Sequence, residues 1–343
     1  MKHFTADNSL MEILTTAGPQ IRLFFPESLL ELIPEEYHTV PLKDWADSFM
    51  MPWGFPLAYR ELLEDANRIQ ESDKYWRLVP LWVNEDGFTV DTNDLHSVCL
   101  MIPTAQPEGV CPAALIIPGG GYENIAFHDE GLRTAERMAA AGYRTFILNY
   151  RYKPNVYPAP QMDLALAIRH IRAHAAEYQI DPDNLLILGY SAGGHLCAST
   201  AALREEVGKE LQKELEEKRP DLAVALRNIS VRPDKVCLCY PVISFLAEDH
   251  EPSFQALTGG NEALREHLSI EKQVDENYPK TFLWTCEDDS LVPPSNATRM
   301  AEALREKKID SLLKLYPQGE HGCSLAIGTS AEGWMDAMLE FMK

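Results

Sequence analysis

The chain has 343 residues, enough for one large domain with a buried core or for two ordinary domains. Hydrophobic residues make up 45% and charged residues 24%, a composition that excludes a disordered or fibrous protein. The formal net charge of −21 argues against a nucleic acid or an anionic membrane surface as partner.

The cysteines and the first residues of the chain indicate the compartment. There are seven cysteines, mostly within apolar runs, and such residues usually pack as small core side chains under reducing conditions. Cys237 and Cys239 have no further metal ligands nearby, so we expect no metal site. The beginning of the chain lacks a signal-peptide pattern, and no stretch approaches the ~18 apolar residues of a membrane span. We therefore expect a cytoplasmic protein.

Two regimes follow one another along the chain. Residues 1–80 are rich in proline, with helical spacing only over 55–70, and we predict an extension packed on the main domain of residues 81–343. In that domain apolar strands alternate with helices. The predicted strands are 97–102, 113–117, 145–148, 185–188, 236–240, 281–285 and 312–316. The predicted helices are 131–141, 161–178, 192–203, 295–307 and one from about 330. This alternation predicts an α/β fold with a mostly parallel sheet.

Two insertions interrupt that alternation, at about 204–228 and 252–277. The first begins with many charged residues, and we predict a solvated helix that continues the helix 192–203. The second lies between two strands, and we expect a small cap above the strand ends.

A G-x-S-x-G sequence, Gly189 to Gly193, stands between a predicted strand and a predicted helix. In a nucleophile elbow the sharp turn at this point exposes the hydroxyl of the central serine, here Ser191, and the flanking glycines avoid clashes. The N-terminus of the following helix adds a positive dipole near a developing oxyanion. The sequence therefore predicts Ser191 as a nucleophile.

A serine nucleophile needs a base and an acid, which follow it in this architecture in the order serine, acid, histidine. His321 comes just after the last predicted strand. Glu287, Asp288 and Asp289 follow the strand before it. We prefer Asp289 as the acid, because it begins an Asp-x-x-Val-Pro turn, with Asp288 second and Glu287 third.

The glycines after the strand 113–117 fit an oxyanion hole, which needs backbone N–H groups that no side chain blocks. We predict Gly120, Gly121 and Ala192 as the donors. A phosphate-binding loop is the alternative, but no G-K-[ST] follows, so we expect no nucleotide and no other cofactor.

The motifs PGGGY, GYSAGGH, DDSLVP and EHG together resemble the α/β-hydrolase esterases related to hormone-sensitive lipase, closest to acetyl esterase and carbohydrate-esterase-like members. The resemblance covers about residues 80–343. It implies an eight-stranded, mostly parallel sheet and the hydrolysis of short acyl esters without a cofactor. Pro118 stands where the family usually has a histidine before the glycines.

We therefore expect a serine esterase acting on short-chain, especially acetyl, esters. The resemblance adds sugars or oligosaccharides as the alcohol part, so the expected partner is a small-molecule or oligosaccharide ester, with no nucleic acid and no membrane. The sequence is also compatible with a homo-oligomer. An exopeptidase, an amidase or formamidase, and a catalytically silent binding module on the same fold remain alternatives.

Other polar residues receive structural interpretations. His170 and His174 are four residues apart, but the H-E-x-x-H pattern of a zinc site is missing, and we expect a solvated pair. We interpret His195 as a packing residue or as a residue that supports the site residues from behind, and Asp163 as a helix cap or hydrogen-bond anchor. Residues 149–152 end a strand and could border the pocket, although a structural role is favoured.

Overall fold

The computed structural model of the protein describes residues 3–45, 59–247 and 250–343. Within these residues, eight strands form one sheet in the order β1-β2-β4-β3-β5-β6-β7-β8. Their bounds are β1 (Trp76–Pro80), β2 (Cys99–Pro103), β3 (Cys111–Ile117), β4 (Arg144–Asn149), β5 (Ile180–Tyr190), β6 (Lys235–Cys239), β7 (Lys280–Cys286) and β8 (Ser311–Tyr316). β2 pairs antiparallel with β1 and β4, and the other neighbours pair in parallel. This is the α/β-hydrolase fold that the resemblance implied.

The central strands consist of short apolar runs because both faces of the sheet are covered. Residues 185–190 of β5 and 236–239 of β6 are all buried, as expected for a parallel sheet between helices. Seven of the eight strands agree with predicted runs, within a few residues at their ends. The exception is β1, an edge strand that lies inside residues 1–80. The division of the chain at residue 80 stays a prediction.

The helices lie before, between and after the strands. Before β1 are α1 (Leu10–Thr16), α2 (Ile21–Phe24), α3 (Glu27–Leu30), α4 (Glu35–His38), α5 (Tyr59–Ile69) and α6 (Ser72–Tyr75). After it come α7 (Thr134–Ala140), α8 (Ala159–Ala173), α9 (Ala175–Tyr178), α10 (Ser191–Ala202), α11 (Arg204–Lys218), α12 (Pro220–Leu226), α13 (Glu251–Thr258), α14 (Ser295–Glu306) and α15 (Trp334–Phe341). Short 3₁₀ turns occur at Leu42–Asp44, Glu85–Gly87, Glu262–Leu264 and Ile270–Lys272. A π-helical segment, Phe127–Arg133, precedes α7.

Helix ends differ from the predicted ones by a few residues. The predicted helix 161–178 starts earlier, at Ala159, and breaks at His174 into α8 and α9. The predicted helix 55–70 appears as α5, and its residues 55–58 lie outside the described part.

The first insertion differs from its prediction. The helix α10 ends at Ala202, and α11 is a separate helix rather than its continuation. Val207, Leu211 and Leu215 recur every fourth residue on α11, are buried, and face the side where α11 packs against α8. The predicted charged helix is present and most of its residues are exposed or half-buried, but this narrow apolar stripe docks it on the rest of the domain.

The second insertion packs beside the carboxyl ends of the central strands. The carbonyl oxygen of Leu268 lies 2.9 Å from Nε2 of His195 in α10. The hydroxyl of Ser253 in α13 lies 3.9 Å from where a Cβ of Gly121 would stand. Among the described residues, no helix has both the length and the apolar character that crossing a bilayer requires.

Candidate active site

Ser191 lies at a sharp turn between β5 and α10. Its φ of 51° is in the left-handed region, which is uncommon for a residue with a side chain and is typical of strained functional turns. The turn is possible only because its neighbours are glycines. A Cβ on Gly189 would stand 2.3 Å from the carbonyl oxygen of Gly193, and a Cβ on Gly193 would stand 2.2 Å from that of Ile117. The backbone is therefore that of a nucleophile elbow.

The structure brings Ser191, His321 and Asp289 together from three segments that are far apart along the chain. They follow β5, β8 and β7, whose carboxyl ends meet at one edge of the parallel sheet. Oγ of Ser191 lies 2.8 Å from Nε2 of His321, and Nδ1 of His321 lies 2.8 Å from Oδ2 of Asp289. All three residues are buried, with at most 8% of their surface exposed.

The direction of these hydrogen bonds follows from the acid. A carboxylate only accepts, so Nδ1 of His321 carries the proton and Nε2 is left to accept from the Ser191 hydroxyl. Such an arrangement can take a proton from a serine as it attacks a carbonyl carbon, and return the proton to a leaving group.

The three neighbouring acids have different partners. Asp289 uses its other oxygen, Oδ1, to accept the N–H groups of Leu291 and Val292, which fixes the carboxylate. Asp288 instead accepts the N–H groups of Gly319 and Glu320, in the loop that carries the histidine. Glu287 is exposed. Asp289 is thus the acid that contacts His321, as the sequence favoured.

The glycine loop after β3 lies directly against the serine. A Cβ on Gly119 would stand 2.9 Å from Cβ of Ser191. The N–H of Gly119 is occupied, since it donates to Oε2 of Glu130 at 2.6 Å. Gly120 and Gly121 follow with φ of 126° and 66°. That these two and Ala192 donate to an oxyanion stays a prediction.

The other polar candidates lie in structural contacts. Nε2 of His195 donates to Leu268, the hydroxyl of Tyr122 donates to its Nδ1, and burial lowers the pKa of His195 to about 4. Asp163 lies inside α8, so it is not a cap. It accepts from Arg151 and from Trp82, which makes it the hydrogen-bond anchor of the two interpretations.

Within the described part of the chain, none of the remaining candidates is hydrogen-bonded to Ser191. His170 stacks on His174 at 4.1 Å and is half-buried rather than fully solvated, because it packs on Tyr178. At the end of β4, Asn149 donates to Ser97 and Tyr150 donates to Pro118, which supports the structural interpretation of residues 149–152.

Two residues near the site were missed by the sequence analysis. Glu130 is a buried carboxyl behind the glycine loop, and Tyr240 is a fully buried tyrosine just after β6. In the sequence, the only signal for Glu130 is its position close to Phe127, Gly131 and Leu132. These three residues are buried in the structure. Burial raises the pKa of Glu130, and the hydrogen bonds from Gly119 and Tyr240 oppose that rise.

Comparison with known proteins shows the family of this chain. The family model BD-FAE matches residues 100–304. The chain belongs to the BD-FAE family. The match contains the glycine loop, the elbow and Asp289, and the α/β-hydrolase esterase relationship that the motifs suggested is confirmed. The expected enzyme class, carboxylic ester hydrolase, is that of its relatives.

Three relatives of this BD-FAE member are informative. Endo-1,4-beta-xylanase B of Butyrivibrio fibrisolvens is 38% identical over 226 residues, which are 64% of this chain and 34% of the relative. Acetylxylan esterase of Xylanibacter ruminicola is 26% identical over 242 residues, 68% of this chain and 45% of the relative. The chain thus spans less than half the length of either. The crystal structure of the acetyl ester-xyloside bifunctional hydrolase from Caldicellulosiruptor lactoaceticus is 32% identical, covers 77% of this chain and 94% of its own, and superimposes with a TM-score of 0.67.

Proposed function

We propose that this chain is a serine esterase that removes short acyl groups, above all acetyl, from sugar or oligosaccharide hydroxyls. The observation that carries the proposal is the continuous hydrogen-bonded chain from Asp289 through His321 to Ser191 at a nucleophile elbow. The names of two relatives, an acetylxylan esterase and an acetyl ester-xyloside hydrolase, support acetylated xylo-oligosaccharides as the first substrates to test.

The reaction proceeds through an acyl-enzyme. Oγ of Ser191 attacks the ester carbonyl carbon while Nε2 of His321 takes its proton. The negative charge on the carbonyl oxygen is stabilised by the N–H groups of Gly120, Gly121 and Ala192. The imidazolium, stabilised by Asp289, then protonates the departing alcohol as the carbon–oxygen bond breaks.

Deacylation repeats these steps with water. His321 takes a proton from water as the water oxygen attacks the acyl carbonyl, and it returns a proton to Oγ of Ser191 as the acid leaves. The products are the free sugar hydroxyl and a short carboxylic acid.

Two experiments test the proposal. The variant Ser191→Ala is expected to lose nearly all hydrolysis of p-nitrophenyl acetate and all labelling by a fluorophosphonate, with an unchanged circular dichroism spectrum. The matched control is Ser199→Ala, a buried serine two turns further along α10, which should keep both. Wild-type activity of Ser191→Ala would exclude the serine mechanism. If neither the wild type nor the control reacts, the chain is a silent binding module.

The substrate is tested separately with the wild-type enzyme. Release of acetate from acetylated xylo-oligosaccharides is compared with hydrolysis of p-nitrophenyl esters of increasing chain length, of aminoacyl-p-nitroanilides and of an N-formylated amine. We expect the highest kcat/KM on the acetylated sugars and a decline with acyl length. A higher kcat/KM on the anilides or the formamide would favour the exopeptidase or amidase alternative.

A further inference from the structure

Glu130 joins two parts of the candidate site through its two carboxylate oxygens. Oε2 accepts the N–H of Gly119 at 2.6 Å, in the loop that touches Ser191. Oε1 accepts the hydroxyl of Tyr240 at 2.8 Å. A buried carboxyl group is costly unless it is satisfied, and both donors come from elements next to the reacting groups.

Tyr240 extends this connection to the loop of the histidine. Its hydroxyl oxygen accepts the N–H of Ser324 at 3.1 Å, three residues after His321. Its ring contacts the imidazole of His321 edge-on, with the ring centres 4.9 Å apart. Because the hydroxyl accepts from Ser324, its own proton is available for Glu130.

A second hydrogen bond joins the segment that contains Glu130 to the loop that carries His321. The hydroxyl of Ser324 donates at 2.6 Å to the carbonyl oxygen of Asp129, the residue before Glu130 in the π-helical segment. The segment 127–133 is therefore tied to the glycine loop on one side and to the histidine loop on the other.

The chemistry of these contacts requires a carboxylate at residue 130. A glutamine has one accepting oxygen. If that oxygen faced Gly119, the amide nitrogen would donate to the Tyr240 hydroxyl, which already accepts from Ser324. If it faced Tyr240, the amide nitrogen would confront the N–H of Gly119. In the first orientation the proton of the Tyr240 hydroxyl loses its acceptor, and in the second the N–H of Gly119 loses its acceptor. A buried donor without an acceptor costs about 1–3 kcal/mol.

We propose that Glu130 and Tyr240 are positioning residues that hold the glycine loop and the imidazole of His321 in register around Ser191. The inference rests on the proposed function, since it concerns how that site reaches its working geometry. Reacting groups must be placed within fractions of an ångström, and a displacement of about 1 Å costs on the order of a hundredfold in rate. The two residues act through Gly119, Ser324 and His321 without touching the substrate.

The test compares Glu130→Gln, Tyr240→Phe and the double variant with the wild type on p-nitrophenyl acetate. We expect kcat to fall by about tenfold to a hundredfold in each single variant, while KM changes by less than about twofold, because the lost contacts act on the reacting groups. The rate of inactivation by a fluorophosphonate should fall in parallel. The double variant should lose less than the product of the two single losses, because both belong to one connected chain.

The matched control is Tyr278→Phe, another buried tyrosine, whose hydroxyl donates to the carbonyl of Ala198 away from the reacting groups. It should keep the wild-type kcat. If Glu130→Gln fails to fold, Tyr240→Phe decides alone, since it keeps the carboxyl. A wild-type kcat in the folded variants, or a rise in KM without a fall in kcat, would overturn the inference about Glu130 and Tyr240. The proposed function would remain intact in that case, provided that Ser191→Ala is inactive. An active Ser191→Ala would overturn the proposed function itself.

Discussion

Asp289 and His321 are joined by a hydrogen bond of 2.8 Å, whereas Asp288, one residue earlier, points to a different group. Asp288 accepts the backbone N–H groups of Gly319 and Glu320 at 2.9–3.2 Å. One aspartate therefore contacts the imidazole and the other anchors the backbone of the loop that presents it. The two adjacent carboxylates should respond differently to the same substitution.

Asp289→Asn should reduce kcat by roughly 10⁴-fold, the loss expected when the imidazole is held in the wrong tautomer. Asp288→Asn keeps an oxygen that can accept from both N–H groups, so we expect less than about a tenfold loss. Steady-state hydrolysis of p-nitrophenyl acetate measures both. Equal losses in the two variants would contradict the separation of roles.

Gly193→Ala should abolish activity and destabilise the fold. Its Cβ would stand 2.2 Å from the carbonyl oxygen of Ile117 and 2.4 Å from that of Pro118, and these backbone atoms have no room to move. Gly208→Ala is the matched control, because the nearest atom to its Cβ is a methyl of Val231 at 3.5 Å. In the interior of α11 this change should stabilise by up to about 1 kcal/mol. Thermal unfolding of the two variants checks both signs, and equal midpoints would count against the steric argument.

Asp163→Ala should lower the free energy of unfolding by about 3–5 kcal/mol, because it leaves the buried guanidinium of Arg151 without its carboxylate. It also removes the acceptor of the Trp82 indole N–H. Urea unfolding measures the loss. The control is Glu177→Ala, which removes the exposed ion pair with Arg77 and should cost less than about 1 kcal/mol. A similar small loss for both would show that burial does not decide the effect.

His170 should make the protein less stable in acid. Burial, together with the nearby charges of His174 and Arg77, lowers the pKa of His170 from 6.5 to about 3. Between these values the unfolded chain binds a proton that the folded chain excludes, so stability falls as the pH falls from 6.5 toward 3. The slope is at most about 1.4 kcal/mol per pH unit for one proton. Urea midpoints from pH 7 to 4 should fall less steeply in His170→Gln, and parallel curves would disprove the assignment.

Much of the fold followed from local pattern. Apolar runs such as 185–188 and 236–240 predicted strands because both faces of a parallel sheet are buried. β1 escaped notice because an edge strand with half-exposed residues lacks this signature. The docking of α11 was also missed, since Val207, Leu211 and Leu215 are few among its charged residues.

The candidate site also has a part that local sequence patterns predicted and a part that they did not. Ser191 and its glycines were predictable because the elbow is a local constraint, in which the neighbouring backbone leaves no space for a Cβ. The order of serine, acid and histidine follows from strand ends that meet at one edge of the sheet. The sequence by itself thus determined the elbow, the candidate residues and the fold class.

Only the tertiary structure decided which partners those residues have. Asp288 and Asp289 are chemically identical neighbours, and the turn of the backbone after β7 directs one to the imidazole and the other to the loop. Glu130 and Tyr240 are 110 residues apart, and nothing local relates them. Their hydrogen bond exists because β3 and β6 flank β5 in the sheet, so the segments that follow them converge around Ser191.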